Sequence, residues 1–320
     1  MLRKNILLTG AGGYIGSLVI NELARNKKNL ATIVAYDIKP VAKEKQLNGI
    51  HYVQGDIRDG NLGEILKEHD VDTVVHLASI VTPGKKSNRE FEYFVDVLGT
   101  ENLLRACIQQ HVKKFIITSS GAAYGYHKDN PQWLAETDAL RGNFEFPYSW
   151  HKRLVEEMLA KERVQHPELK QLVLRPGTVL GKNTDNQITD LFKKRFVLGV
   201  CGAEIPFVFI WDEDVVEIIL KGVHEENEGI YNLAGDGVVT MGEIAKSLGK
   251  PYIRVPAWLL KAGLFALHRL GLTQYDSNQI NFLRYRPVLS NKKLKEEFYV
   301  PKYSSREVFD SYVAANAEIL

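Results

Sequence analysis

Cysteine is scarce in this 320-residue chain: Cys107 and Cys201 are the only two, far apart and outside any metal-spaced cluster. This excludes a disulfide framework and a thiolate metal site, fits a reducing compartment, and leaves both thiols to be read as buried packing residues. An excess of one charge is also missing. Lys+Arg number 41 against Asp+Glu 39, a formal net +2, and no basic block is long enough to mark a nucleic-acid stripe or an anionic membrane patch. No apolar run spans a bilayer. The most apolar stretch, 258–272, is interrupted by Lys261, His268 and Arg269 and falls short of the roughly 20 residues required. It reads as a packed helix, with attachment to a membrane surface as the alternative. Internal repeats and low-complexity segments are absent. The start of the chain runs directly into Ile6-Leu7-Leu8 with no signal region, so a cytoplasmic location is expected.

What is present suffices for a large core: 45% hydrophobic and 25% charged residues. Short β-branched runs alternate with helical patterns: Ile6-Leu7-Leu8, Thr32-Ile33-Val34-Ala35-Tyr36, His51-Tyr52-Val53, Thr73-Val74-Val75-His76-Leu77, Phe115-Ile116-Ile117-Thr118 and Leu172-Val173-Leu174. The pattern predicts an α/β fold, a doubly wound parallel sheet with helices on both faces. After Arg175-Pro176-Gly177 the alternation loosens. A short helix near Leu191, a strand at Phe207-Val208-Phe209-Ile210 and another at Ile230-Tyr231-Asn232-Leu233 follow, then helices near 241–248 and 258–270. The expected division is a dinucleotide-binding domain over 1–175, with 207–233 returning to it. Residues 176–206 and 234–320 then form a smaller C-terminal α/β substrate lobe over the carboxyl ends of the strands.

Thr9-Gly10-Ala11-Gly12-Gly13-Tyr14-Ile15-Gly16 directly follows the first strand and opens a helix. The spacing assigns Gly10 to a tight turn, Gly13 to close backbone approach to a pyrophosphate, and Gly16 to helix–strand packing. A plain glycine-rich turn looks the same. Asp37 ends the second strand about 20 residues later, where an acid binds the adenosine ribose hydroxyls; its other reading is a turn residue before Pro40. A 2′-phosphate about 4 Å from Asp37 is repelled by roughly 4 kcal/mol at an effective dielectric near 20, so NAD is expected over NADP, with Lys39 softening the preference. Asp56-Ile57 then holds the adenine edge, and Leu77-Ala78-Ser79 lines the path toward the nicotinamide.

The chemical signal is Tyr148-Ser149-Trp150-His151-Lys152, which sets a tyrosine and a lysine one turn apart on one helix face. A tyrosine of pKa about 10 works near neutrality only if that value falls by about three units, roughly 4 kcal/mol, and a nearby ammonium with a positive cofactor ring supplies this. With 14 tyrosines, a buried tyrosine beside a solvated lysine at chance spacing is the alternative. Thr118-Ser119-Ser120-Gly121-Ala122, after a strand, offers Ser120 as a hydroxyl bridging the reacting oxygen and the phenol; ordinary turn chemistry is its other reading.

Taken in order, Thr9-Gly10-x-x-Gly13-x-x-Gly16, Asp37, His76-Leu77-Ala78, Ser119-Ser120 before Tyr124-Gly125, Tyr148-x-x-x-Lys152 and Arg175-Pro176 closely resemble the extended short-chain dehydrogenase/reductases, the NAD-dependent epimerase/dehydratase family, over residues 5–235. The resemblance implies Tyr148 as catalytic acid–base, Lys152 on the nicotinamide ribose, and Ser120 positioning the reacting oxygen. It places NAD against the glycine loop with Tyr14 and Ile15, against Asp37 and Ile38, and against Thr118 and Pro176. Substrate falls to Ser120, Ala122 and Thr178. Asp214 matches an acidic strand-to-helix position and reads as structural, and His151 as a helix residue beside the site. A homodimer through residues 100–110 and 148–161 is also implied, and no metal.

The chain departs from relatives that act on nucleotide-activated sugars in two places. Thr178 replaces a usual asparagine, and Phe207 stands where an arginine often grips the pyrophosphate; phenylalanine cannot do this. Arg284 and Arg286 read equally as a second phosphate clamp and as solvated basic surface. Gly121-Ala122 replaces the acid–base pair of the dehydratases, which disfavours dehydration. A nucleotide-sugar epimerase, a dehydrogenase of a more apolar hydroxy compound with Trp258-Leu259-Leu260 and Leu264-Phe265 lining its pocket, and a non-catalytic dinucleotide sensor remain the three readings.

Overall fold

The computed structural model describes residues 3–82, 88–270 and 280–320, so Gly271 and Leu272, at the end of the apolar stretch, lie outside the described residues. Consecutive residues of each core strand are buried: Ile6, Leu7 and Leu8; Val74 and Val75; Phe115 and Ile116; Leu172, Val173 and Leu174. Burial without alternation means that both sheet faces are covered, as in a parallel sheet flanked by helices.

The strands are β1 (Lys4–Thr9), β2 (Leu30–Asp37), β3 (His51–Gln54), β4 (Thr73–His76), β5 (Lys114–Thr118), β6 (Lys170–Pro176), β7 (Thr178–Leu180), β8 (Val197–Val200), β9 (Pro206–Phe207), β10 (Phe209–Trp211), β11 (Gly229–Leu233), β12 (Val239–Thr240) and β13 (Tyr252–Val255). The helices are α1 (Tyr14–Arg25), α2 (Leu62–Glu68), α3 (Arg89–Tyr93), α4 (Thr100–Gln109), α5 (Pro147–Gln165), α6 (Gln187–Phe192), α7 (Asp212–His224), α8 (Met241–Ser247), α9 (Ala257–Arg269), α10 (Ile280–Arg284), α11 (Lys292–Glu297) and α12 (Ser305–Ala315).

Two compact units emerge. The first comprises the chain to Ser119, His151–Arg175 and Glu213–Tyr231. Its seven-stranded sheet has the order β11-β6-β5-β4-β1-β2-β3. Strand order reverses at β1, between β2 and β4, the switch point where doubly wound sheets bind ligands. Thr9 is level with Tyr36 and His76, His76 with Ile117, and Ile117 with Val173, so these strands end at a common edge.

The second unit comprises Ser120–Trp150, Pro176–Asp212 and Asn232–Leu320. Its core is aromatic: Phe192 meets Phe309 edge-on at 5.5 Å, and Phe207 stacks on Phe209 at 5.6 Å. Capping boxes at Asn186, Thr240 and Ser304 begin α6, α8 and α12, satisfying amides that the helices leave unpaired. The run Phe207–Ile210 is not one strand of the main sheet. Phe207 pairs antiparallel with Val239, the Val208 carbonyl accepts the Thr178 amide, and Phe209 pairs parallel with Thr178. Val208 is the point at which the chain changes partners, and of the segments after Gly177 β11 alone joins the seven-stranded sheet. Cys107 is buried as expected, whereas Cys201 is exposed, because it sits in the turn with Gly202 that follows β8. No helix among the described residues is long and apolar enough to cross a membrane.

Candidate active site

In the first unit the glycine turn is held by close packing. Gly10 has φ +71°, and a Cβ there would lie 2.6 Å from the Ala78 amide nitrogen. A Cβ on Gly16 would lie 2.1 Å from the Gly10 carbonyl oxygen, so the turn closes onto the helix only without a side chain. No side chain caps α1 at Gly13, and no acid stands in its first turn. Exposed Gly12, Gly13 and Tyr14 leave the positive end of α1 open to an anion. The Asp37 carboxylate accepts the Gly12 amide at 2.9 Å and the Lys39 amide at 2.8 Å, which fixes it at the lip of the turn. Ile15 is half-buried and Ile38 exposed. These features fit a dinucleotide: a pyrophosphate on the turn and a ribose diol on Asp37.

The remaining first-unit residues gather at the strand ends. The Asp56 carboxylate is held by Arg58 at 2.9 and 2.6 Å, which keeps its pKa below the ordinary carboxylate value, and Ile57 is buried beside Gly99. Leu77, Ala78 and Ser79 are half-buried; the Ser79 hydroxyl and the Ile80 amide both donate to Asp96, at 3.0 and 2.8 Å. Asp96 lies in a π-helical turn, Phe94–Gly99, a distortion that recurs at functional sites. Its other oxygen is 3.5 Å from His151, which is buried.

Lys152 is 6% exposed and donates to the Thr118 carbonyl at 3.0 Å. Burial lowers its pKa, and the carboxylates of Asp96 and Glu156 oppose that shift. One turn further along α5, Glu156 receives Arg175 at 2.9, 3.0 and 2.6 Å and the Ser119 hydroxyl at 2.5 Å. This buried pair ties α5 to β5 and β6. Sequence reasoning missed both acids. The available signals were an aspartate inside the apolar run Phe94-Val95-Asp96-Val97-Leu98, and a glutamate four residues after Lys152 on the same face.

In the second unit, Ser120 caps the 3₁₀ turn Gly121–Tyr124 by accepting the Ala122 amide at 3.1 Å, which leaves its own proton for donation. Ser149 donates to the Ala122 carbonyl at 2.7 Å and accepts the Asn143 amide at 3.1 Å. The first turn of α5, carrying half-buried Tyr148, is thereby anchored to the Ser120 turn. α5 carries Tyr148 and Lys152 four residues apart. Pro176 and Thr178 are half-buried.

Arg286 is not a solvated surface residue. Its guanidinium lies 4.2 Å over the Phe207 ring and 4.9 Å over Phe282, and donates to the Thr178 hydroxyl at 3.3 Å. Its Nη1 is buried without a hydrogen-bond partner, and burial pulls its pKa below the ordinary value. Phe207, at the position lacking an arginine, is thus the platform for an arginine from elsewhere in the chain. Arg284 lies over Tyr285 at 4.8 Å, its Nε likewise buried and unpartnered. Trp258, Leu259 and Phe265 are exposed; Leu260 packs against the aromatic core.

The sequence model of the NAD dependent epimerase/dehydratase family matches residues 6–234. A UDP-glucose 4-epimerase of Yersinia enterocolitica is 27% identical over 226 residues, 66% of each chain. Among solved structures, the UDP-glucose 4-epimerase of Thermotoga maritima with UDP-glucose is similar with a TM-score of 0.73, at 22% identity over 98% of this chain and 99% of that one. The Thermus thermophilus UDP-glucose 4-epimerase complex with NAD gives 0.69, at 24% identity over 96% and 98%.

Proposed function

Because this chain belongs to the NAD dependent epimerase/dehydratase family and is an NAD-dependent enzyme, we propose that its reaction is hydride transfer at a secondary alcohol carbon of a nucleotide-activated sugar, completed as an epimerisation. The observation that carries the substrate class is Arg286. A half-buried guanidinium whose buried Nη1 lacks a partner is costly until an anion completes it, and a diphosphate does so with charge-assisted hydrogen bonds. The named relatives, UDP-glucose 4-epimerases, support the same class.

Bound NAD supplies the hydride acceptor. The turn at Gly10–Gly16, with Tyr14 and Ile15, would hold its pyrophosphate. Asp37 with Ile38 would hold the adenosine ribose and disfavour a 2′-phosphate, Asp56 and Ile57 the adenine, and Leu77, Ala78, Ser79, Thr118 and Pro176 the nicotinamide end. Tyr148 accepts the substrate hydroxyl proton, Ser120 donates to the same oxygen, and Lys152, oriented by the Thr118 carbonyl, keeps a positive charge one turn from the phenol. Ala122 and Thr178 line the sugar, with Arg286 and Arg284 on the phosphates. The enzyme works as a cytoplasmic homodimer packed through residues 100–110 and 148–161.

The test is incubation with NAD and a panel of nucleoside-diphosphate sugars, followed by separation of the epimers. Tyr148→Phe lowers turnover by at least about 100-fold with NAD affinity nearly unchanged. Arg286→Met raises KM for the sugar diphosphate by about 10- to 100-fold and leaves NAD binding intact. A fully active Tyr148→Phe enzyme, or an unchanged KM in Arg286→Met, overturns the reading.

A further inference from the structure

We propose that the outward face of α9, with the adjoining β8–β13 ladder, docks on an anionic lipid surface. The inner side of α9 packs Ala257 and Leu260 against the aromatic core of the second unit. A surface helix of this kind should be polar on its other side. Instead Trp258 is 70%, Leu259 48% and Phe265 58% exposed, and Leu270, just beyond the helix, 70%. At about 100° per residue, Trp258, Ala262, Phe265 and Arg269 share the centre of that outward face, flanked by Leu259 and Ala266. The β13 strand leads into α9 through Pro256 and, with β8, carries an exposed apolar pair of its own. Ile253 is the register partner of Leu198 on β8; both are exposed, as is Phe196.

The charges choose the occupant. Residues 250–270 contain Lys250, Arg254, Lys261 and Arg269 and no Asp or Glu; residues 193–203 contain Lys193, Lys194 and Arg195 and again no acid. Lys193 is engaged by Asp185 and Asp190, Lys250 by the Phe192 carbonyl, and Arg254 lies with Tyr252 on the side of β13 opposite Ile253, which leaves Lys194, Arg195, Lys261 and Arg269 as the exposed cations. Glu204, close enough to help raise the Tyr252 phenol, is outnumbered on this side. A second copy of the chain paired twofold about the centre of this face would bring Lys261 of one copy toward Arg269 of the other, cation against cation. A bilayer with acidic headgroups takes both features at once: tryptophan and leucine enter the headgroup boundary while lysine and arginine meet the headgroups.

The experiment is co-sedimentation of the protein at low ionic strength with vesicles of phosphatidylglycerol and phosphatidylcholine, and with phosphatidylcholine alone. The bound fraction is expected to be at least about tenfold higher on the acidic vesicles. Trp258→Ala/Phe265→Ala and Lys261→Glu/Arg269→Glu both fall to the phosphatidylcholine level, with the thermal midpoint and state of association unchanged. Wild-type protein that stays in the supernatant with acidic vesicles overturns the proposal, as does equal binding by either double variant. Self-association that Trp258→Ala/Phe265→Ala disperses, without vesicle binding, assigns the face to a second copy and overturns it too.

Discussion

Two residues show how local contacts set behaviour that a motif only names. Asp37 holds two backbone amides with one carboxylate, so its charge is fixed at the lip of the glycine turn. Because Asp37 is half-buried, water and salt screen the bare repulsion of a 2′-phosphate, and Asp37→Ser is expected to shift the NAD/NADP affinity ratio toward NADP by about 10- to 100-fold. Titration of both cofactors against both proteins measures it, and an unmoved ratio would remove Asp37 from the cofactor site. His76 is buried. Thr100 donates its hydroxyl proton to the Asp96 carbonyl and so accepts from His76 Nε2, which places the ring proton on Nε2 and leaves Nδ1 to accept from Thr9. Burial, aided by the charge of Lys152 and opposed by Asp96, holds the His76 pKa down at about 3. Between the ordinary value of about 6.5 and that value, the unfolded chain binds a proton that the fold refuses. Acidification through this window therefore destabilises the protein, by about 1.4 kcal/mol per pH unit for this residue. Urea unfolding at pH 7 and pH 5 should show the stability difference shrink by about 2 kcal/mol in His76→Gln. An unchanged difference would mean that His76 takes up its proton as readily in the fold as in the unfolded chain.

α5 carries three polar side chains on successive turns of one face: Tyr148, Lys152 and Glu156. The first two are legible from spacing. The third depends on Arg175 and Ser119, which come from strands that sequence proximity does not join to it. Removing one partner of a buried ion pair leaves the other uncompensated, so Glu156→Gln is expected to lose about 3–5 kcal/mol in denaturant unfolding. Glu156→Leu/Arg175→Met should regain most of it, because two apolar groups strand no charge. A double variant no more stable than the single one would show that the pair acts through something other than mutual neutralisation. The strands β1, β2, β4, β5 and β6 were legible because burial on both faces selects continuous apolar runs; β3, a half-exposed edge strand, was legible from its short apolar run alone. Phe207–Ile210 was not, because its hydrophobicity is equally suited to one central strand or to two short ones, and only its partners β12 and β7 decide.

For the molecule as a whole, the proposed homodimer is checked by light scattering at micromolar concentration: twice the chain mass of 36.2 kDa is expected, and a monomer would remove it. Local order in the sequence determined the doubly wound sheet, the tight glycine turn opening α1, the spacing of Tyr148 and Lys152 on one helix and membership of an NAD-dependent family, because each rests on backbone periodicity or on residues within one or two turns. Tertiary structure alone decided the rest. It moved Arg286 from a choice between clamp and surface to a half-buried guanidinium on Phe207, about 80 residues away in the chain. It also left cations and large apolar side chains of two separate segments exposed, where the sequence shows no basic block. Charge, burial and hydrogen-bond supply at a side chain are set by neighbours in space, and no spacing along the chain encodes which neighbours those are.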